Sequence, residues 1–149
     1  MIKYIDGDLI RDSDNYEIIL HGANCFNTMG SGIALQIKNK FPEAYVVDCK
    51  TKKGDITKLG TFTLTTEIKS IILNCYTQYK TGAYKTGGRD FDYMAAKEAL
   101  KKVKKEFAGK KIGMPKIGSM LGGGDWTITQ RIVEEILGEE DVTVVNYKP

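Results

Sequence analysis

The chain has 149 residues, 42% apolar and 28% charged, the size and balance of one globular domain with room for a core that needs no staples. Its net charge of +3 permits an anionic ligand without calling for a nucleic-acid partner. One histidine and an odd set of cysteines without C-x-x-C spacing (Cys25, Cys49, Cys75) argue against a zinc site and fit a reducing compartment; no apolar run is long enough to span a membrane and the first residues lack the shape of a signal peptide, so a cytoplasmic protein is expected.

In chain order, a first strand is predicted over Ile2–Ile5, followed by Asp8 in a turn. A second apolar run, Ile18–Ala23, reads as a buried strand that starts from Glu17. It leads into a polar, glycine-containing loop and then a helix over Ser31–Phe41, where Ile33, Ile37 and Phe41 recur every four residues and Pro42 stops the pattern. A weaker helix is predicted over Glu43–Lys50, then strands over Phe62–Thr65 and Ile71–Cys75. A polar stretch from Thr77 to Asp92 reads as a loop, with Tyr76, Tyr79 and Tyr84 there as candidates to stack on a base or cover a cleft. Tyr93, Ala96, Leu100, Val103 and Phe107 form one stripe of a helix. The lysines Lys101, Lys102, Lys104, Lys105, Lys110 and Lys111 lie mostly opposite that stripe and read as a solvated face. After a short strand, Ile112–Met114, comes a second glycine loop, Gly118–Gly124. The next helix opens at Thr127 with Gln130 three residues on, a capping-box pattern, and carries a stripe of Ile128, Ile132, Val133, Ile136 and Leu137. Val142–Asn146 is the last strand. Strands alternating with helices, without linker or repeat, predict a single α/β domain over residues 1–149: three layers, α/β/α, around a six-stranded mixed but mostly parallel sheet. Ligands of such sheets sit beyond the carboxyl ends of the strands, where both glycine loops fall.

Those loops carry the chemistry. Gly30-Ser31-Gly32-Ile33-Ala34 joins a strand to a helix start, where backbone N–H groups lack partners and the helix dipole favours an anion, most often a phosphate. It matches neither G-x-G-x-x-G, because residue 35 is Leu35, nor the P-loop. Ile117-Gly118-Ser119-Met120-Leu121-Gly122 opens the second loop, whose four glycines in seven residues are an entropic cost that a plain connection does not require. Two anion loops at two strand ends imply a ligand with two phosphates. Asp8 can accept from an exocyclic amine or simply form a turn. Asn24 can serve a sugar hydroxyl or its own loop. His21 can be a general acid or base or a hydrogen-bonded core histidine, and Asp125 a general base or a helix cap. For these four the residues by themselves leave both readings open.

In this order these residues resemble the macrodomain family of ADP-ribose-binding proteins, over nearly the whole chain from Gly7-Asp8-Leu9 to the final strand. The most specific parts are His21–Ala34 and Met114–Trp126. The Met-Pro-x-Ile-Gly-Ser stretch with Trp126 soon after is similar to the branch that holds ADP-ribose-1″-phosphate phosphatases and terminal ADP-ribose glutamate hydrolases of phage and bacterial type. Asn74-Cys75-Tyr76-Thr77-Gln78-Tyr79 with Arg89-Asp90-Phe91-Asp92-Tyr93 resembles the phosphatase side.

The resemblance implies that Asp8, with Leu9, holds the adenine amine. It implies that Asn24 contacts the distal ribose, that Gly30, Ser31, Gly32, Ile33 and Ala34 wrap that ribose and a phosphate, and that Ile117, Gly118, Ser119, Met120, Leu121 and Gly122 close over the diphosphate. Tyr147 is the counterpart of an aromatic residue beside the adenine. His21 and Asp125 match groups implicated in catalysis, and are expected at the lips of the two loops. Relatives that attack C1″ through a lysine carry it just after the fourth strand. Here Gln78 stands near that point, with Lys80 and Lys85 out of register, and a neutral amide forms no covalent adduct. Met120 stands where relatives commonly have glycine. The implied activity is metal-free and cofactor-free removal of phosphate from ADP-ribose-1″-phosphate. The alternatives are hydrolysis of ADP-ribosylated protein or DNA, or an ADP-ribose reader without turnover. A monomer with no membrane partner is expected, in the host cytoplasm if the source is a phage.

Overall fold

The computed structural model describes residues 2–149. Six strands, β1 (Ile2–Gly7), β2 (Ile18–Asn24), β3 (Phe62–Thr66), β4 (Ile71–Gln78), β5 (Ile112–Pro115) and β6 (Val142–Tyr147), form one sheet in the order β1-β6-β5-β2-β4-β3. All neighbours run parallel except β3, which is antiparallel to β4. The helices are α1 (Gly32–Lys40), α2 (Pro42–Cys49), α3 (Tyr93–Phe107) and α4 (Trp126–Leu137). Among the described residues no helix is long and apolar enough to cross a membrane.

Period-two alternation along β2 divides the core. Ile18 and Leu20 face α3 and α4, joining Leu73, Leu100, Val103, Phe107, Met114, Val133 and Val144 in the larger cluster. Ile19 faces the other way, with Leu9, Met29, Ile37 and Ile72 beneath α1 and α2. The three layers expected from the sequence are therefore present. Truncating Leu100 or Phe107, both deep in the larger cluster, costs about 3 kcal/mol by the usual cavity scale.

Several boundaries differ from the sequence expectation. Pro42 does stop α1, but it is also the first residue of α2, a position where its missing N–H costs nothing. The capping box expected at Thr127 is not the helix start: α4 begins at Trp126, and its cap is Asp125, whose side chain accepts from the Thr127 N–H. The largest difference is β4, which runs to Gln78 rather than ending at Cys75. Tyr76 and Thr77 are thus strand residues, fully buried, and not part of a surface loop.

Candidate functional site

Because five strands are parallel, their carboxyl ends share one edge. That edge carries Gly7 beside Tyr147, Asn24 beside Gln78, and Pro115 at the end of β5. A register shift between Ala23 and Asn24 lets Asn24 pair with Gln78 rather than with Thr77.

The first loop leaves β2 at Asn24, which ties it down. The Asn24 amide donates to Thr28 at its carbonyl (3.2 Å) and hydroxyl (2.8 Å), and its oxygen accepts from the Phe26 N–H at 2.8 Å. Beyond Thr28 the chain rises through Gly30 and Ser31, both exposed, into α1. Ser31 is the N-cap, but its side chain makes no capping bond. Among the described residues, the N–H groups of Ser31, Gly32, Ile33 and Ala34 have no protein partner. They are the unpaired donors at the positive end of the helix dipole. The Ile33 and Ala34 side chains are half-buried against the core below.

The second loop is tightly packed rather than floppy. Gly118 has φ +73, and a Cβ there would lie 2.4 Å from the Phe91 ring, so only glycine fits. The Gly122 carbonyl accepts from the N–H groups of both Asp90 and Phe91 at 3.0 Å, and Gly124 donates to Gly118 at 2.6 Å. The glycines thus let the loop seat on the 79–92 segment, a packing reason the sequence reading did not supply. The N–H groups of Gly118, Met120, Leu121 and Gly122 make no bond within the described residues. Ser119 turns its hydroxyl inward to the Lys116 carbonyl. Ile117 is buried in the core, so only its main chain reaches the loop surface. Met120 is 81% exposed.

The two loops meet. A Cβ on Gly32, whose φ is +58, would lie 3.5 Å from Leu121 Cδ1. At the floor between them stands Gln78, whose Nε2 donates to the Lys80 carbonyl and whose Oε1 is 3.2 Å from where a Gly122 Cβ would be. Gln78 was not among the expected ligand contacts. The signal for it was the family resemblance, which implies a nucleophilic lysine near this point in one group of relatives.

At the far end of the edge, Asp8 accepts from the N–H groups of Ile10 and Arg11 through one oxygen. The other oxygen has no protein partner among the described residues. Leu9 is buried in the smaller cluster, and Tyr147 is 56% exposed at the end of β6.

The two expected catalytic groups are not brought together at the loop lips. His21 lies inside β2 and is completely buried, with Nε2 2.6 Å from Asn74 Oδ1. The Asn74 amide nitrogen donates to Ala44 O and Thr63 Oγ1, so its oxygen accepts and His21 Nε2 donates. Nδ1 is buried without a partner among the described residues. Burial drives the His21 pKa down to about 4, although the Asn74 side chain and the Gly22 backbone favour the proton. This is the core histidine of the alternative reading: its side chain points under the sheet toward α2. Asp125 is exposed, and its Oδ1 accepts from the Thr127 N–H. Its own N–H donates to the Tyr93 hydroxyl, and its second oxygen has no protein partner among the described residues.

Comparison with known proteins agrees with this architecture. The chain is 33% identical over its whole length to an uncharacterized 17.5 kDa protein from the tk-vs intergenic region of Enterobacteria phage T4, and covers 98% of it. It is 31% identical over its whole length to a DNA ADP-ribosyl glycohydrolase of Mycobacterium tuberculosis, but spans 42% of that protein. With an ADP-ribose 1″-phosphate phosphatase of Saccharomyces cerevisiae the identity is 25%, covering 96% of this chain and 97% of the yeast protein. The sequence pattern of the macro domain matches residues 20–133, most of the chain, and the protein belongs to the macro domain family.

Proposed function

We propose that this macrodomain binds ADP-ribose along the carboxyl edge of its sheet and hydrolyses ADP-ribose-1″-phosphate to ADP-ribose and phosphate. The observation that carries the reading is the contact of two loops, each with a row of unbonded N–H groups, at Gly32 and Leu121. Such fixed dipoles hold a diphosphate with little reorganisation. The free oxygen of Asp8 accepts the adenine amine, with Tyr147 beside the ring. Gly30–Ala34 and Ile117–Gly122 hold the diphosphate through their main chains, and the distal ribose sits by Asn24 and Gln78.

In this reading Asp125 orients a water for attack on phosphorus. The bond between phosphorus and O1″ breaks, the electron pair stays on O1″, and solvent supplies its proton. A histidine held neutral beneath the sheet is a poor proton donor to the ligand, so His21 supports β2 from within instead. Isothermal titration with ADP-ribose, followed by phosphate release from its 1″-phosphate, tests the reading. Saturable binding and turnover that falls at least about a hundredfold in Asp125→Ala are expected. Absence of ADP-ribose binding ends the proposal, and binding without phosphate release leaves a reader.

A second reading, removal of ADP-ribose from DNA, is favoured by the mycobacterial relative's name and by cations on the segments bonded to the two loops. Lys50, Lys52, Lys53, Lys80, Lys85 and Arg89 lie on the segments that hold the first loop and the second, and none is in an ion pair among the described residues. Release of ADP-ribose from an ADP-ribosylated oligonucleotide, measured beside phosphate release, separates the two.

A further inference from the structure

Beneath the first loop lies a buried polar chain that neither loop chemistry nor the core explains. Lys58 is only 8% exposed. Its ammonium donates to Asn27 Oδ1 and to Thr51 Oγ1, both at 2.9 Å, and lies 5.4 Å from the centre of the Tyr76 ring. Thr51 in turn donates to the Asp48 carbonyl at 2.6 Å, and Asn27 Nδ2 donates to the Thr51 carbonyl at 3.0 Å. Asp48 is 1% exposed; one oxygen accepts from the Tyr76 hydroxyl at 2.7 Å and the other has no partner among the described residues. The chain continues from Tyr76 through Thr63 to Asn74 and His21.

A buried ammonium is expensive unless it is well paired, and its removal from a paired site is more so. The place where this one ends is informative. Asn27 has φ +58, the one non-glycine residue with positive φ among those described. L residues adopt that region rarely, and asparagine does so most readily. Asn27 precedes Thr28, which Asn24 clamps from the strand end. The loop is therefore fixed at two successive residues, by a strand-end amide and by an internal cation.

We propose that Lys58 is a positioning residue for the first loop. Through Asn27 it fixes the turn that aims the N–H groups of Ser31–Ala34 across the cleft, and so sets affinity for the diphosphate without touching it. The inference rests on the ADP-ribose reading for its ligand, and on the Lys58–Asn27 bond for its mechanism.

The test is a double-mutant cycle on the full chain with Lys58→Met and Asn27→Ala, read by titration with ADP-ribose and by amide hydrogen exchange without ligand. Each single variant should weaken binding about tenfold, the size of a lost hydrogen bond to a charged group. The double variant should be no weaker than either single one, because both remove the same link. Asn27→Asp keeps the acceptor for the ammonium but gives up the Nδ2 donor to the Thr51 carbonyl, so it should bind clearly more tightly than Asn27→Ala while staying below wild type. A merely structural lysine would not give that rescue. Amide exchange should speed up in residues 25–31 in both single variants and stay unchanged in α3 and α4.

Additive losses, or wild-type affinity in Lys58→Met, overturn the proposal. If Lys58→Met does not fold, the contrast between Asn27→Ala and Asn27→Asp decides it: equal affinities overturn the proposal. If the wild-type chain does not bind ADP-ribose, the functional reading falls, while unchanged exchange in residues 25–31 of the variants is what sinks the positioning role.

Discussion

Gly32 and Leu121 touch across the carboxyl edge of the sheet, with Leu121 Cδ1 3.5 Å from where a Gly32 Cβ would lie. A methyl group fits that space, so the cost of Gly32→Ala comes from its φ of +58, about 1 kcal/mol for an L residue. That cost is relieved if the helix start rotates, which turns the open N–H groups away. Gly32→Ala should therefore lower the unfolding free energy by about 1 kcal/mol at most, while weakening ADP-ribose binding severalfold. Titration and urea denaturation on the same sample separate the effects, and unchanged affinity contradicts the loop assignment.

Gly118 tests the packing explanation for the second loop. A Cβ there meets three ring carbons of the fully buried Phe91, and φ is +73. Overpacking and a left-handed L residue together cost about 3 kcal/mol. Gly118→Ala should lower the denaturation midpoint accordingly, and Phe91→Leu in the same chain should recover part of the loss. A neutral Gly118→Ala would mean that the glycines serve flexibility after all.

His21 makes a pH prediction with a defined sign. Its folded pKa of about 4 lies below the ordinary 6.5, so the unfolded chain binds the proton more readily. Stability from this group is complete above pH 6.5 and is lost as pH falls toward 4, by on the order of 3 kcal/mol. Asp48 works the other way: burial raises its carboxyl, despite the Tyr76 hydroxyl and Lys58, and this favours the folded state as pH falls. The difference between wild type and His21→Gln isolates the histidine. Urea midpoints for that variant should change less between pH 7 and pH 4 than those of wild type, and parallel curves refute the assignment.

The periodic elements were legible in the sequence because each was written in one short window. The apolar stripe of α3 and the continuous run of β2 left little choice of layer. Boundaries at the edge of the site were harder. Tyr76, Thr77 and Gln78 read as polar loop because the alternation that buries them depends on α2 from one side and on the 79–92 segment from the other. Whether His21 meets ligand or core depends on which face of β2 it takes, and one strand's sequence leaves that open when both faces are covered. Lys58 was not visible at all, since its partners Asn27 and Thr51 lie 31 and 7 residues away and single residues in loops carry no period.

Gln78 is where sequence and geometry meet most directly. It ends β4 beside Asn24, at the floor between the two loops, and its amide is neutral. The family resemblance implies that lysine-bearing relatives attack C1″ from near this point, and a glutamine there has no nucleophilic amine. Gln78 is half-buried, with its Nε2 donating to the Lys80 carbonyl, a bond that a lysine ammonium can also make. Gln78→Lys should therefore fold and keep ADP-ribose affinity within about threefold. It should raise release of ADP-ribose from a modified protein or oligonucleotide at least about tenfold, a small part of what a positioned nucleophile supplies. Product analysis of both reactions in wild type and variant checks this. If the lysine variant binds ADP-ribose normally but shows no gain on either substrate, Gln78 is not at the reacting end of the ligand, and the orientation with adenine at Asp8 and the distal ribose at Asn24 must be reversed.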